Sequence, residues 1–240
     1  MKKAVIFYLK NGKFYTETFQ VPNKHKILKS IFKEYSNKVY KVCDDVDFLY
    51  MNNVCFYQKI KIECPKTTRL VLENCVFREN FVNFFGGSVD IICPKMSKQY
   101  YFHFISGENL EKFHLRVEDD NFNDLTLAIN AKNITILGNE EAKYKCYNFM
   151  LKGNNVTIEN VEKVKSINVS CQRLLLCNSN LKFQDFLDVS SSIQTDSMFL
   201  MASEISNEIY EKVKCRNEKF ISSLDEIEII DSKSLIKKKV

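Results

Sequence analysis

Tryptophan is absent from this 240-residue chain, and proline and glycine are scarce, with 3 and 6 copies. So little Pro and Gly excludes collagen-like and linker-like readings, and an apolar content of 45% excludes intrinsic disorder. No apolar run approaches the ~18 residues that a membrane-spanning helix needs. Met1-Lys2-Lys3, then Ala4 to Leu9, imitates an export signal. The apolar stretch is shorter than the usual ~7–15 residues and Lys10 closes it, so it reads as a strand of the mature protein. Arginine is rare, 5 copies against 30 Lys, although it is the usual carrier of bidentate phosphate and base recognition. No Cys-x-x-Cys, Gly-rich phosphate loop, G-x-S-x-G or H-E-x-x-H occurs. The common zinc, redox, nucleotide and hydrolase signatures are therefore missing.

Cysteine, by contrast, is frequent: nine copies, at 43, 55, 64, 75, 93, 146, 171, 177 and 215. An odd number without an export signal points to reduced thiols and a cytoplasmic setting. The net charge of +5 is uneven: residues 1–42 carry +8 and 232–240 carry +4, leaving −7 for 43–231. An acidic body with basic ends is no continuous nucleic-acid footprint.

Three regions follow from the patterning. Residues 1–42 read as an N-terminal β-hairpin and a basic amphipathic helix. Asn11-Gly12 is the favoured type I′ turn pair between Ala4–Leu9 and Phe14–Val21. Over 24–41, Ile27, Leu28, Ile31, Phe32, Tyr35 and Val39 recur at helical spacing, and the lysines avoid that stripe. Such a helix suits a cap on the structure that follows, with Ile27, Leu28, Ile31 and Phe32 covering its core.

From 43 to 205 the periodicity switches to short alternating runs, such as Ile60-Lys61-Ile62, Leu70-Val71-Leu72, Ile134-Thr135-Ile136 and Leu174-Leu175-Leu176. The runs are related. Ile62-Glu63-Cys64-Pro65-Lys66 resembles Ile91-Ile92-Cys93-Pro94-Lys95, and Arg69-Leu70-Val71-Leu72 resembles Arg173-Leu174-Leu175-Leu176. Both members of the second pair follow an Ile-x-apolar-x-Cys strand, at Ile60 and Ile167. Ile134, Val156, Leu174 and Phe199 are separated by 22, 18 and 25 residues. Short strands at a loose period of about 20 predict a solenoid of roughly eight coils. Asn residues at the strand ends suit its corners, as side-chain ladders and as residues that tolerate a left-handed backbone. The expected fold is mainly β: an irregular right-handed parallel β-helix, with a leucine-rich-repeat-like solenoid as the alternative. The last region, 206–240, reads as a helix and strand cap with a basic tail: Ile205, Ile209 and Val213 at helical spacing, a strand at 226–230, and Lys237-Lys238-Lys239.

Candidate chemistry is thin. His25, His103 and His114 are the only histidines, and the last two alternate with apolar residues and so point away from the core. No motif joins either to Cys93. The acidic loop 118–124 could offer oxygen ligands, but counted from Asp119 it has Asp124 and Asn130 where a calcium loop needs Gly and Glu. Asp44, Asp45 and Asp47 read as loop residues too. No catalytic, cofactor-binding or metal residue is assigned, and no nucleic-acid or membrane partner. The reading is a non-catalytic β-solenoid that binds a protein partner or serves as a scaffold. A carbohydrate-binding or carbohydrate-active β-helix is the alternative from another class.

Overall fold

The computed structural model describes residues 3–20, 32–36, 39–56, 60–77, 81–92, 94–96, 101–106, 110–117, 124–139, 146–183 and 191–221. The chain winds as a β-solenoid. On one long face the run 48–52 pairs in parallel with 69–73, followed in order by 88–92, 112–116, 133–137, 155–159, 173–177, 197–201 and 217–221. That stack is nine rungs deep, about 38 Å at ~4.8 Å per step. The other long face stacks in the same way from 39–41 to 213–215. A third, narrower side carries two-residue ladders, as at Cys55–Phe56, Val76–Phe77 and Lys95–Met96.

Alternation along each strand builds the core. Leu49, Leu70, Val89, Phe113, Ile134, Val156, Leu174 and Met198 share one inward column and are all but fully buried. Each contributes roughly 1.5–3 kcal/mol by burial, which no five-residue strand could gain alone. The two-strand unit read at both ends of the region is real. Arg69 and Arg173 share one column of this face, and Ile60 and Ile167 share one column of the other.

Two details of the repeat differ from the sequence expectation. Ile62 lies on one long face and Ile91 on the other, so their similar sequences are not equivalent turns. Phe199 pairs with Leu175, and the residue stacked on Leu174 is Met198. The core spacing there is therefore 24, with Phe199 turned outward.

The corner that follows the 48–52 face uses Asn for its backbone. Asn53, Asn74, Asn160 and Asn178 hold φ of 56°, 50°, 55° and 47°. Each donates its N–H to the coil above, for example Asn74 to Ile92 O at 2.9 Å and Asn178 to Met201 O at 3.0 Å. The side-chain ladder expected of corner asparagines forms on another column instead, where Asn155 Nδ2 donates to Asn133 Oδ1 at 2.8 Å.

The N-terminal end differs from expectation in part. β1 (Lys3–Lys10) and β2 (Lys13–Gln20) form the expected hairpin around Asn11-Gly12. In place of a helix through 41, β3 (Phe32–Ser36) and β4 (Val39–Val42) form a second antiparallel hairpin. Residues 24–31, with Ile27, Leu28 and Ile31, lie outside the described residues. β1 lies antiparallel against β5 (Val46–Asn52), and β4 pairs in parallel with Ile60–Glu63. Each long face thus begins with a hairpin. Pairing with the first coil satisfies backbone groups that an isolated helix would leave exposed on the sheet edge, and this outweighs the helical spacing of Phe32, Tyr35 and Val39.

At the other end the expected helix shrinks to α1 (Asn207–Tyr210), which buries Ile209. Val213 instead opens the strand Val213–Ile221, which adds a rung beyond residue 205. The strand expected at 226–230 lies outside the described residues. Among the described residues no helix is long and apolar enough to cross a membrane.

Candidate functional site

Two arrangements hold the polar chemistry of the solenoid. The first is a buried carboxylate. Asp90 occupies an outward position of its strand yet is only 1% exposed, because three neighbours fold over it. Arg69 Nε donates to Oδ2 at 2.7 Å, His114 Nδ1 lies 3.2 Å from Oδ1, and Lys112 Nζ is 3.7 Å away. Parallel stacking sets this up, since Ser88–Ile92 lies between the rungs that carry Arg69 and His114. Burial alone would raise the Asp90 carboxyl. The hydrogen bonds from His114 and Arg69, with the charges of Arg69 and Lys112, outweigh it and lower it to about 2.

An Asp–His contact suggests a base held ready, as in acyl-transfer enzymes. The geometry argues otherwise. Among the described residues His114 Nε2, the nitrogen that would exchange a proton with a substrate, is buried and has no hydrogen-bond partner. A catalytic base must reach a reacting atom within about 2.6–3.2 Å. Nε2 is turned away from solvent, and the contacts the cluster makes are those that join three coils through Asp90.

The second arrangement lies on the edge where the coil bends from one long face to the other. In the later coils this bend takes two residues. The first is small and turns inward: Ala131, Gly153, Cys171, Thr195 and Cys215, stacked in register. A Cβ on Gly153 would lie 2.3 Å from Ala131 O, so the coils approach too closely there for a side chain. The second residue is exposed and polar: Lys132, Asn154, Gln172, Asp196 and Arg216.

Two outward columns flank this one. On one side stand Asn130, Lys152, Ser170, Gln194 and Lys214. On the other stand Asn133, Asn155, Arg173, Ser197 and Asn217. Over these five coils the three columns carry amides, hydroxyls and five cations against one acid, Asp196, with no aliphatic or aromatic side chain, and the preceding coil adds Glu111 beside Lys132. Two of the chain's five arginines stand on this edge.

The edge is grooved. A hollow of about 480 Å³ is lined by Lys132, Lys152, Asn154, Lys66 and Glu111, and another of about 550 Å³ by Ser170, Gln194, Asp196, Lys214 and Arg216. Lys132 pairs with Glu111 at 2.8 Å and Arg216 with Asp196 at 3.6 Å. Among the described residues Lys152, Arg173 and Lys214 have no acidic partner. Surplus positive charge beside these two hollows attracts anionic groups.

The residues singled out in the sequence fall elsewhere. His103 lies on the face opposite His114, in the run that pairs with Phe81–Phe85. Cys93, His25 and residues 118–123 lie outside the described residues, and Asp124 opens a strand paired with Cys146. Asp45 accepts an ion pair from Lys10 at 3.3 Å and ties the first hairpin to the first bend. Among the described residues no group of three His, Cys, Asp or Glu is placed to hold a metal ion. Sequence reading missed the edge because its residues lie 18–24 apart, one per coil, and no local motif contains them. The Asn noted at the strand ends pointed to the other corner, where Asn53, Asn74, Asn160 and Asn178 lie, and not to this edge. No protein-family model, curated protein or solved structure matches the chain.

Proposed function

We propose that the chain is a non-catalytic interaction scaffold whose bend edge docks an extended, acidic segment of a partner protein. The observation that carries this reading is the three-column edge: Lys152, Arg173 and Lys214 stand without acidic partners among the described residues, interleaved with Asn and Gln, with Lys152 lining one hollow and Lys214 the other. Cations supply attraction and on-rate, and amides can both donate to and accept from a peptide backbone. The absence of apolar and aromatic groups from the three columns disfavours a stacked neutral sugar there. Cys43, Cys55, Cys64, Cys75, Cys171, Cys177 and Cys215 are free thiols, which supports a cytoplasmic setting.

The test is fluorescence anisotropy with a labelled poly-glutamate peptide and a poly-glutamine control. Binding should be selective for the acidic peptide and weaken with salt. Reversing Lys152 and Arg173 together to Glu should cost about tenfold or more in affinity. Reversing Lys61, exposed on a long face away from the edge, should change little. Equal binding of both peptides, or loss with Lys61→Glu alone, would defeat the reading. Tighter, edge-dependent binding of heparin would replace it with the carbohydrate alternative.

A further inference from the structure

The outermost strand of the N-terminal cap is β2. Among the described residues it pairs only with β1, and its other edge is open. It runs eight residues and leaves Phe14 67% and Tyr15 43% exposed. A long edge strand with exposed aromatics is a template for another strand. Its charges say which one. Lys13 and Glu17 stand two residues either side of Tyr15 and share its side of the sheet. Across the hairpin Lys13 faces Lys10, whose charge is met by Asp45. Among the described residues neither Lys13 nor Glu17 has an ion-pair partner.

We propose that β2 pairs antiparallel with β2 of a second copy, about a two-fold axis through Tyr15. This joins two solenoids by their N-terminal ends into one continuous sheet. Only registers that set a residue opposite itself keep the hydrogen-bonding parity on both strands. In the Tyr15 register Lys13 faces the second copy's Glu17 twice over, Phe14 faces Thr16, and Tyr15 meets its own copy. A register centred on Glu17 sets two carboxylates face to face, and one centred on Thr16 leaves Lys13 opposite Phe19. Opposite charges directly across a sheet stabilise and like charges destabilise, so charge selects the Tyr15 register. In a two-residue hairpin the pair beside the turn exchanges both hydrogen bonds. Phe14, Thr16 and Thr18 therefore present their N–H groups to the open edge.

Sedimentation equilibrium of the full chain tests this. The protein should form a dimer that dissociates on dilution. Lys13→Glu and Glu17→Lys should each shift it to monomer, weakening self-association at least tenfold, while far-UV circular dichroism stays unchanged. The double reversal K13E/E17K should restore the dimer, which a merely damaged hairpin could not do. Hydrogen exchange at the Thr16 amide should slow as concentration rises. A monomer up to the solubility limit, a dimer that both single reversals leave intact, or a double reversal that fails to rescue would each overturn the proposal. An unchanged Thr16 exchange rate across concentrations would do the same.

Discussion

Arg69 Nε donates to Asp90 Oδ2 at 2.7 Å across one rung of the solenoid, from a side chain 59% exposed to one 1% exposed. The same carboxylate takes His114 from the next rung on the far side. One buried charge thus ties three successive coils.

That tie makes stability depend on acid. Held at about 2 in the fold against 3.8 in an unstructured chain, Asp90 gives up its stabilising charge only at low pH. As pH falls below 3.8 the unfolded chain binds the proton first, so the contribution is complete above that value and fades as pH approaches 2. A tenfold change in proton affinity corresponds to roughly 1.4 kcal/mol, which puts the loss at about 2–3 kcal/mol at most. Solvent around the exposed Arg69 and Lys112 side chains screens part of it. Asp90→Asn should lose up to about that much at neutral pH and flatten the acid limb of a urea-denaturation series. An Asn variant as stable as the parent at neutral pH would show that the network contributes nothing.

Ala202 holds φ of 47° at the corner where Asn53, Asn74, Asn160 and Asn178 hold the same conformation. A left-handed backbone costs an alanine roughly 1 kcal/mol that asparagine largely avoids. Ala202 is exposed, so replacing it sacrifices little packing. Ala202→Asn should therefore raise stability by about 0.5–1 kcal/mol, read as a higher thermal midpoint. A lower midpoint would show that something other than backbone conformation governs that corner.

These corners also mark how far sequence reading reaches. Alternation in Ile134-Thr135-Ile136 and Leu174-Leu175-Leu176 reports directly which side faces the core, so the solenoid was legible. So was the left-handed role of Asn. The first hairpin of the N-terminal cap was legible too, but the segment 32–42 was not, because Phe32, Tyr35 and Val39 satisfy both a helical and a strand pattern and only the open edge of the first coil decides between them. The bend edge was hidden for a different reason. Lys152, Arg173 and Lys214 become neighbours only once the coil lengths, which vary from 18 to 24 residues, are fixed by register.

The cysteines offer a chemical check. Burial raises the Cys64 and Cys75 thiols to about 12 and Cys177 to about 11. The thiolate is the nucleophile, so these three should resist iodoacetamide in the native protein near pH 8. In denaturant without reductant all nine cysteines should react, as counted by mass spectrometry. Fast native alkylation of Cys75, which is fully buried, would mean that the early coils open readily. Unreacted cysteines in denaturant would mean disulfides and a different compartment.

Gly153 is where the bend edge is most constrained. An alanine Cβ would sit 2.3 Å from Ala131 O and 3.4 Å from Lys132 O, so one coil would have to move off the next. Forcing a methyl group into a packed contact costs about 1–3 kcal/mol, and here the obstacle is backbone, which cannot rotate aside. Gly153→Ala should lower the urea midpoint accordingly. Asn154→Ala, at the next residue but exposed, should stay within about 0.5 kcal/mol of the parent. The two variants also separate shape from chemistry in the groove. Gly153→Ala displaces the rungs that carry Lys132 and Lys152, while Asn154→Ala removes one amide and leaves the spacing alone. Under the scaffold reading the glycine variant should weaken acidic-peptide binding more than the asparagine variant, measured where both proteins are still folded. If both bind like the parent, the groove at this coil is a consequence of tight coil stacking and the docking surface lies further along the edge, around Lys214 and Arg216.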